Sequence, residues 1–232
     1  MISTETLTLV QASEVVTEEA RHRGADRFDV VADESDRIRL DLFEGRVTKI
    51  EFSNWRSIGI RLFRGQRLGC SFTERITHDG LRRMVAAARS HVGLTDDVDV
   101  DLPRNVPLPD VDLQLYNPAL ESIVPEDMKA FGLRLETAAF GTDARVENVP
   151  HLRVIRDGSC SMVCNSNGVF HTSRQGSITA GLGVVARCGN SRKMSFYDRG
   201  SRALDYDAEL MARTAVTRAV ELLGGAPLPS GV

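Results

Sequence analysis

The chain has 232 residues, of which 42% are hydrophobic and 26% charged, with a formal net charge of -3. That is enough apolar material for an ordinary buried core, in one large domain or two small ones. The acids and bases are interspersed, so there is no basic footprint for nucleic acid; no apolar run approaches the roughly 20 residues of a membrane helix; and four cysteines are too few for a secreted disulfide scaffold.

The first residues, MISTETLTLVQASEVV, carry acids and no basic leader, so no signal peptide is visible and a cytoplasmic location is expected. Leu9, Ala12, Val16 and Ala20 recur at helical spacing and predict an amphipathic helix from Leu9 to Arg23, closed by Gly24. Phe28 to Ala32 reads as a first strand. Asp33, Glu34 and Asp36 then read as a solvated turn, with the orientation of a cation or a basic peptide terminus as the functional alternative.

From Arg37 to Thr73 four short apolar runs are separated by turn residues. Ile38, Leu40 and Leu42 alternate with polar neighbours, Glu44-Gly45 makes a turn, and Val47, Ile50 and Phe52 lead to Trp55. A bend is expected over Asn54, Trp55, Arg56 and Ser57. Ile58, Ile60 and Leu62 then form a further run, and Arg64-Gly65-Gln66 makes a hairpin loop before Leu68, Cys70 and Phe72. Thr77 caps a helix reaching about Val92, with Leu81, Met84, Val85 and Ala88 on its buried face.

Residues 94–124 turn acidic and proline-bearing and predict a long surface connector, with length enough for a partner contact. Pro125 opens the next helix, with Met128, Phe131, Leu135 and Ala138 as its stripe. Five strands follow in the reading: 145–156, 159–164, 169–175, 178–187 and 193–197. Their turns are Asp157-Gly158, Asn167-Gly168, Gly176 and Gly189-Asn190. A last helix runs from Asp207 to Leu223 through Leu210, Met211, Thr214, Val220 and Leu223. The expected fold is α+β: a large, mostly antiparallel sheet with long helices packed on it.

The wording of several segments is more specific than their periodicity. Arg56 to Ser71 reads R-x-x-G-x-R-x-F-x-G-x-R-x-G-x-S, and Asp112 to Leu120 is close to D-x-D-L-Y-D-P-x-L. Arg145 to Pro150 resembles R-I-x-N-V, Asn165 to Gly168 is N-S-N-G, and Ala219 to Gly231 resembles A-x-x-x-L-G-A-x-P-x-P-S-G. In this order they resemble the N-terminal domain of the TldD/PmbA family, formerly called modulators of DNA gyrase. The L-Y-N-P-A-L and N-S-N-G segments are more similar to the PmbA/TldE type. Asn117, where the pattern has Asp, and RDGSCSM over residues 156–162 depart from it, which leaves room for a specialised paralogue.

The resemblance implies a zinc metallopeptidase complex that cleaves flexible peptides or peptide-like natural-product intermediates. Its metal is held by H-E-x-x-x-H, with two imidazoles on one helical face. Here none of His22, His78, His91, His151 and His171 is followed by Glu. The resemblance therefore implies a non-catalytic, PmbA/TldE-like part, no cofactor in this chain, and zinc in a TldD-like partner subunit. Residues 1–225 are expected to form the N-terminal domain and 226–232 to begin a linker to a C-terminal domain, its own or separate. A stand-alone binding or scaffold domain is the alternative from another functional class.

No catalytic or metal-binding residue is assigned. Asn54, Arg56 and Ser57 are the candidate substrate-binding region, with Trp55 either a partner anchor or core packing. An edge strand bordering residues 54–64 or 169–175 is expected to hold peptide backbone. Cys160 and Cys164, with Cys188 and His171 near in sequence, have zinc-ligand chemistry, but positions four apart on a strand stand roughly 13 Å apart, so buried packing is expected. Arg187, Arg192, Arg199 and Arg202 read as a dispersed solvated face, with capture of peptide carboxylates as the alternative.

Overall fold

The computed structural model describes residues 6–107 and 111–225. Among them, four α-helices accompany one six-stranded antiparallel sheet, an α+β fold. Helix α1 is Leu9–His22, β1 Arg27–Phe43, β2 Arg46–Arg64, β3 Arg67–Thr73 and α2 His78–His91. Helix α3 is Pro125–Thr142, β4 Val146–Asn165, β5 Phe170–Cys188, β6 Ser191–Ser201 and α4 Ala208–Leu222. The strand order is β3-β2-β1-β4-β5-β6. No described helix is long and apolar enough to cross a membrane.

The helix ends follow the sequence closely. Thr8 caps α1 in a reciprocal box with Gln11, Thr77 Oγ1 accepts the Gly80 N–H, and Asp207 accepts the Leu210 N–H. Pro125 occupies the first turn of α3, where the missing N–H costs nothing, and Asp127 accepts the Val124 N–H at 3.1 Å.

The strands are longer and fewer than expected. The acidic stretch Asp33 to Asp36 lies inside β1 rather than in a turn, because neighbouring strands supply partners: Ser161 Oγ donates to Asp33 at 2.6 Å, and Arg56 Nε stands 3.2 Å from Glu34. The expected bend at Asn54–Ser57 is likewise uninterrupted strand, so the runs before and after it are both β2. The five strands expected after α3 are three. Asn167-Gly168 and Gly189 are turns, with φ of +85° and +57° at the glycines, while Gly158 and Gly176 have no positive φ and lie within β4 and β5. Gly176 answers to a close approach instead: a Cβ there would stand 2.9 Å from Leu120 Cδ1.

The chain separates into two compact units. Unit 1 comprises the described parts of residues 1–36, 54–113 and 159–175; unit 2 comprises 37–53, 114–158 and the described part of 176–232. In unit 1, Ala12, Val16 and Ala20 of α1 and Leu81, Met84, Val85 and Ala88 of α2 cover Phe28, Val30, Ile58, Ile60, Leu62 and Met162. A Cβ on Gly69 of β3 would lie 1.9 Å from the Ala88 carbonyl, so α2 rests directly on the strand backbone.

In unit 2, Met128, Phe131 and Leu135 of α3 and Met211 and Val216 of α4 pack on Ile38, Leu40, Leu42, Leu152, Val154, Leu182 and Val184. Each large side chain so buried stabilises by about 1.5–3 kcal/mol before entropy is counted. The apolar stripes differ in detail from the sequence reading. Ala139 rather than Ala138 is fully buried on α3, and the α4 face is built from Ala208, Ala212, Ala215 and Ala219, leaving Leu210 exposed. Alanines carry little weight in a hydrophobicity pattern, yet they let a helix approach closely.

The connector carries two short 3₁₀ turns, Val92–Leu94 and Pro118–Ser122. Leu102 and Leu120 are buried, so it is anchored at intervals rather than lying wholly on the surface. The expected linker at 226–232, with Pro227 and Pro229, and residues 108–110 of the connector lie outside the described residues.

Candidate functional site

One face of the sheet in unit 1 carries no helix among the described residues. Strand alternation places Asp29 and Val31 of β1, Gly59 and Arg61 of β2, and Cys70 and Phe72 of β3 there, around a hollow of about 370 Å³. Asp29 is 8% exposed. Arg61 Nε reaches its two oxygens at 2.9 and 3.1 Å, with Nη2 also on Oδ2. The hydrogen bond to Asp29 raises the Arg61 pKa above its ordinary value. This bidentate pair satisfies its own charges and ties β1 to β2. Phe72 is 76% exposed beside Gly59, and Cys70 is an exposed thiol opposite Arg61 in the ladder.

The Asn54, Arg56 and Ser57 region sits on β2 just beyond its last pairing with β3, which ends at Ile58↔Thr73. Asn54 is exposed and Ser57 half-buried. Arg56 is committed within unit 1: Nη2 donates to the Leu7 carbonyl at 2.9 Å. Trp55 is 44% exposed, and its Nε1 donates to Glu74 at 3.3 Å. The Trp55 and Arg56 side chains are thus tied down, while the strand here has no β3 partner.

The other sequence candidates separate in space. Cys164 is buried and Cys160 half-buried against the unit 1 core, whereas Cys188 is exposed in unit 2. Burial pushes the Cys164 thiol above its usual pKa, the behaviour of an inert core cysteine. Arg187 and Arg192 both bind Glu147, at 3.1 and 2.6 Å, and Arg199 lies over the Tyr206 ring at 5.7 Å. The hydrogen bond from Arg192, aided by Arg187, holds the Glu147 carboxyl below its usual range. Among the described residues no three His, Cys, Asp or Glu side chains are grouped to hold a metal ion. The residues present do not fit the zinc that the resemblance implies for the complex.

The N-S-N-G segment has a clear physical task in unit 1. Asn165 Oδ1 accepts the N–H groups of Asn167 and Val169, at 2.9 and 3.1 Å, closing the β4–β5 turn. Asn165 Nδ2 donates to the Pro103 carbonyl at 2.8 Å and Asn167 Nδ2 to the Leu102 carbonyl at 2.9 Å. The motif therefore pins the connector.

Unit 2 has a helix-free face of its own, with a trough of about 460 Å³ across β1, β4, β5 and β6. Sequence reading missed it. Its floor is Gly181 and Gly183, consecutive outward positions of β5, where absent side chains leave room. Phe196 leans over Gly183, within 2.7 Å of where a Cβ would stand, and the His151 ring lies 5.7 Å from the Phe196 ring at a tilt of 35°. On one wall Asp41 accepts from Arg39 Nε and Nη2 at 3.1 and 2.8 Å and from Arg153 Nε at 2.9 Å. Burial alone would raise the Asp41 carboxyl, but these two arginines outweigh it and hold it below the ordinary range. Asp198 lies on the opposite wall. The G-x-G alternation within a strand was the legible signal for a hollow there.

Two family models match the chain in succession, without following the compact units. The model of the PmbA/TldA metallopeptidase domain 1 matches residues 28–91, and that of the PmbA/TldA metallopeptidase central domain matches residues 118–223. No curated protein sequence matches the chain. The structure is similar to a Thermotoga maritima protein described as a modulator of DNA gyrase, with a TM-score of 0.83 at 16% identity, covering 97% of this chain and 50% of that one. It is similar to TldE from Thermococcus kodakarensis, with a TM-score of 0.81 at 17% identity over 90% and 47% of the two chains. A Bacteroides thetaiotaomicron protein, also described as a modulator of DNA gyrase, gives 0.82 at 18% identity over 96% and 52%. At these identities the likeness is one of fold, and the chain spans about half the length of each solved relative. Two successive domain models of a single family, met in chain order and together covering well over half of the residues, establish the relationship: the protein belongs to the PmbA/TldA (TldD/PmbA) metallopeptidase family.

Proposed function

We propose that this chain is the non-catalytic, PmbA/TldE-type part of a heterodimeric zinc metallopeptidase of the cytoplasm, which cleaves flexible peptides or peptide-like natural-product intermediates. A TldD-like partner subunit carries the zinc, and a C-terminal domain completes the assembly. The observation that carries this reading is the ordered match of both family domains, joined to the PmbA/TldE-like wording of Leu115 to Leu120 and Asn165 to Gly168. The substrate contact is the β2 edge at Asn54–Ser57, where main-chain groups unpaired by β3 offer sequence-independent hydrogen bonds to an extended peptide.

Reconstitution with a TldD-type subunit bearing H-E-x-x-x-H tests this. Peptide hydrolysis is expected only when both subunits are present, with one zinc per heterodimer lost on mutating the partner's motif. Proline placed in turn at Asn54, Trp55 and Ser57 should weaken peptide binding at the position whose N–H points outward, with folding intact. Unchanged affinity and turnover in all three variants would reduce the domain to assembly alone. Failure of any TldD-type subunit to associate would favour the stand-alone binding domain.

A further inference from the structure

The trough of unit 2 has the chemistry of a small-ligand site, and neither the family match nor the peptidase reading assigns it a role. Its volume, about 460 Å³, is in the range of small-molecule sites. Asp41 engages Arg153 through Nε, which fixes the direction of the guanidinium, and among the described residues no other group binds Arg153 Nη1 or Nη2. The Arg153 side chain is 48% exposed. Asp41 is meanwhile chelated by Arg39, so two guanidinium groups face one carboxylate and this wall keeps one positive charge in excess. Asp198, an exposed carboxylate on β6, supplies a negative charge on the other wall.

Between the charged walls the trough presents an aromatic ring and a glycine floor, with Thr48 and Thr179 also in its lining. Phe196 is 56% exposed, and with His151 it makes an aromatic side wall beside a glycine floor. A phosphate or another dianion would meet Asp198, and a simple cation would meet the excess charge at Arg153. A zwitterion with an apolar side chain satisfies both walls and the ring. Arg153 and Asp198 stand on strands either side of β5, roughly 10 Å apart at the backbone. A dipeptide extends over roughly 7 Å between its ends, and the long arginine side chain closes the remainder.

We infer that this trough binds a short apolar zwitterion, of which an aromatic dipeptide with free termini is the simplest form. The ligand carboxylate is taken end-on by Arg153 Nη1 and Nη2, its ammonium by Asp198, and its ring by Phe196 and His151. The site rests on unit 2 residues alone and stands whether or not a zinc partner exists.

The test is a titration of the folded chain with glycyl-phenylalanine, followed by NMR or calorimetry. N-acetyl-glycyl-phenylalanine and glycyl-phenylalaninamide serve as the two end-blocked probes. Saturable binding is expected with a Kd of about 0.1–1 mM. Arg153→Met leaves Asp41 paired with Arg39, so the fold is retained, and it should weaken the free dipeptide roughly tenfold. The same substitution should leave the amide's affinity unchanged; Asp198→Asn should weaken the free dipeptide and leave the acetylated one unchanged. Gly181→Val should fill the floor, since even a Cβ there would stand 3.0 Å from Asp198 Cβ. Should that variant not fold, the two charge variants at exposed positions decide alone. No saturation by about 10 mM, or equal binding by wild type and Arg153→Met, overturns the assignment.

Discussion

Glu136, on α3, accepts the backbone N–H of Gly45 at 2.8 Å, fastening the tip of the β1–β2 hairpin to a helix 91 residues away in sequence. Glu136 is only 6% exposed, and Gly45 adopts φ +71° beside Glu44 at +50°. Replacing Glu136 by Ala should remove the acceptor and lower unfolding free energy by about 1–3 kcal/mol, while Gln, which keeps an acceptor, should cost less. Denaturant unfolding of both variants checks the order; equal losses would mean that packing rather than the hydrogen bond is responsible.

Gly69 tests the seating of α2 on β3. A Cβ there meets the Ala88 carbonyl at 1.9 Å and Val92 at 2.9 Å, and a backbone atom cannot swing aside as a flexible side chain does. Gly69→Ala should therefore destabilise by roughly 1–3 kcal/mol or more through overpacking. Gly93→Ala, in open space in the 3₁₀ turn that follows α2, is the control expected to change little. Thermal unfolding of the pair separates steric cost from a general glycine effect.

The connector should loosen when Asn165 is changed. Asn165→Asp keeps an acceptor for the turn but loses the donor to Pro103 and sets a negative charge against that carbonyl. Faster hydrogen exchange at residues 100–107, with little change in the cores, is the expected result. Uniformly faster exchange across unit 1 would show the contact to be part of the global fold instead.

Two groups with shifted pKa values make the stability of unit 2 depend on pH. The Asp41 pKa is lowered in the folded state, so its contribution is present above the unfolded carboxylate value of about 4 and is lost as pH falls through the folded value. Tyr206 is the reverse case. Burial pushes its pKa up to about 12, with the hydroxyl donating to the Ile178 carbonyl, so stability should fall as pH rises from about 10, the unfolded value, through 12. Tyr206→Phe should flatten the alkaline limb and Asp41→Asn the acid limb of a stability profile. A limb unchanged in either variant would reassign it to another group.

The helix caps and tight turns were legible because each is decided by one or two local residues. Thr77 provides a side-chain oxygen at the right offset, as Thr8 and Asp207 do without having been singled out as caps, and Gly45, Gly65, Gly168 and Gly189 adopt the left-handed backbone their turns require. The unbroken strands were less legible, since Asp33, Asn54 and Gly158 resemble turn residues until their neighbours are known. Ser161, 128 positions downstream, is what makes Asp33 acceptable inside a strand. The trough was hidden for the same reason: Arg153 meets Asp41 only because β4 lies beside β1, a neighbourhood set by strand order rather than by local sequence. Arg56 was legible as a residue of interest, but not its tie to the Leu7 carbonyl.

The length by which β2 outruns β3 bears on how the chain keeps company with itself. Beyond the last β3 pairing, Ile50 and Phe52 are 48% and 65% exposed, no proline interrupts residues 46–57, and the nearest charges, Lys49 and Glu51, neutralise each other at 2.7 Å. A strand edge of that composition is a template for cross-chain pairing and, at high concentration, for aggregation. Covering this edge should therefore raise the concentration at which the chain stays dispersed, an outcome light scattering can read.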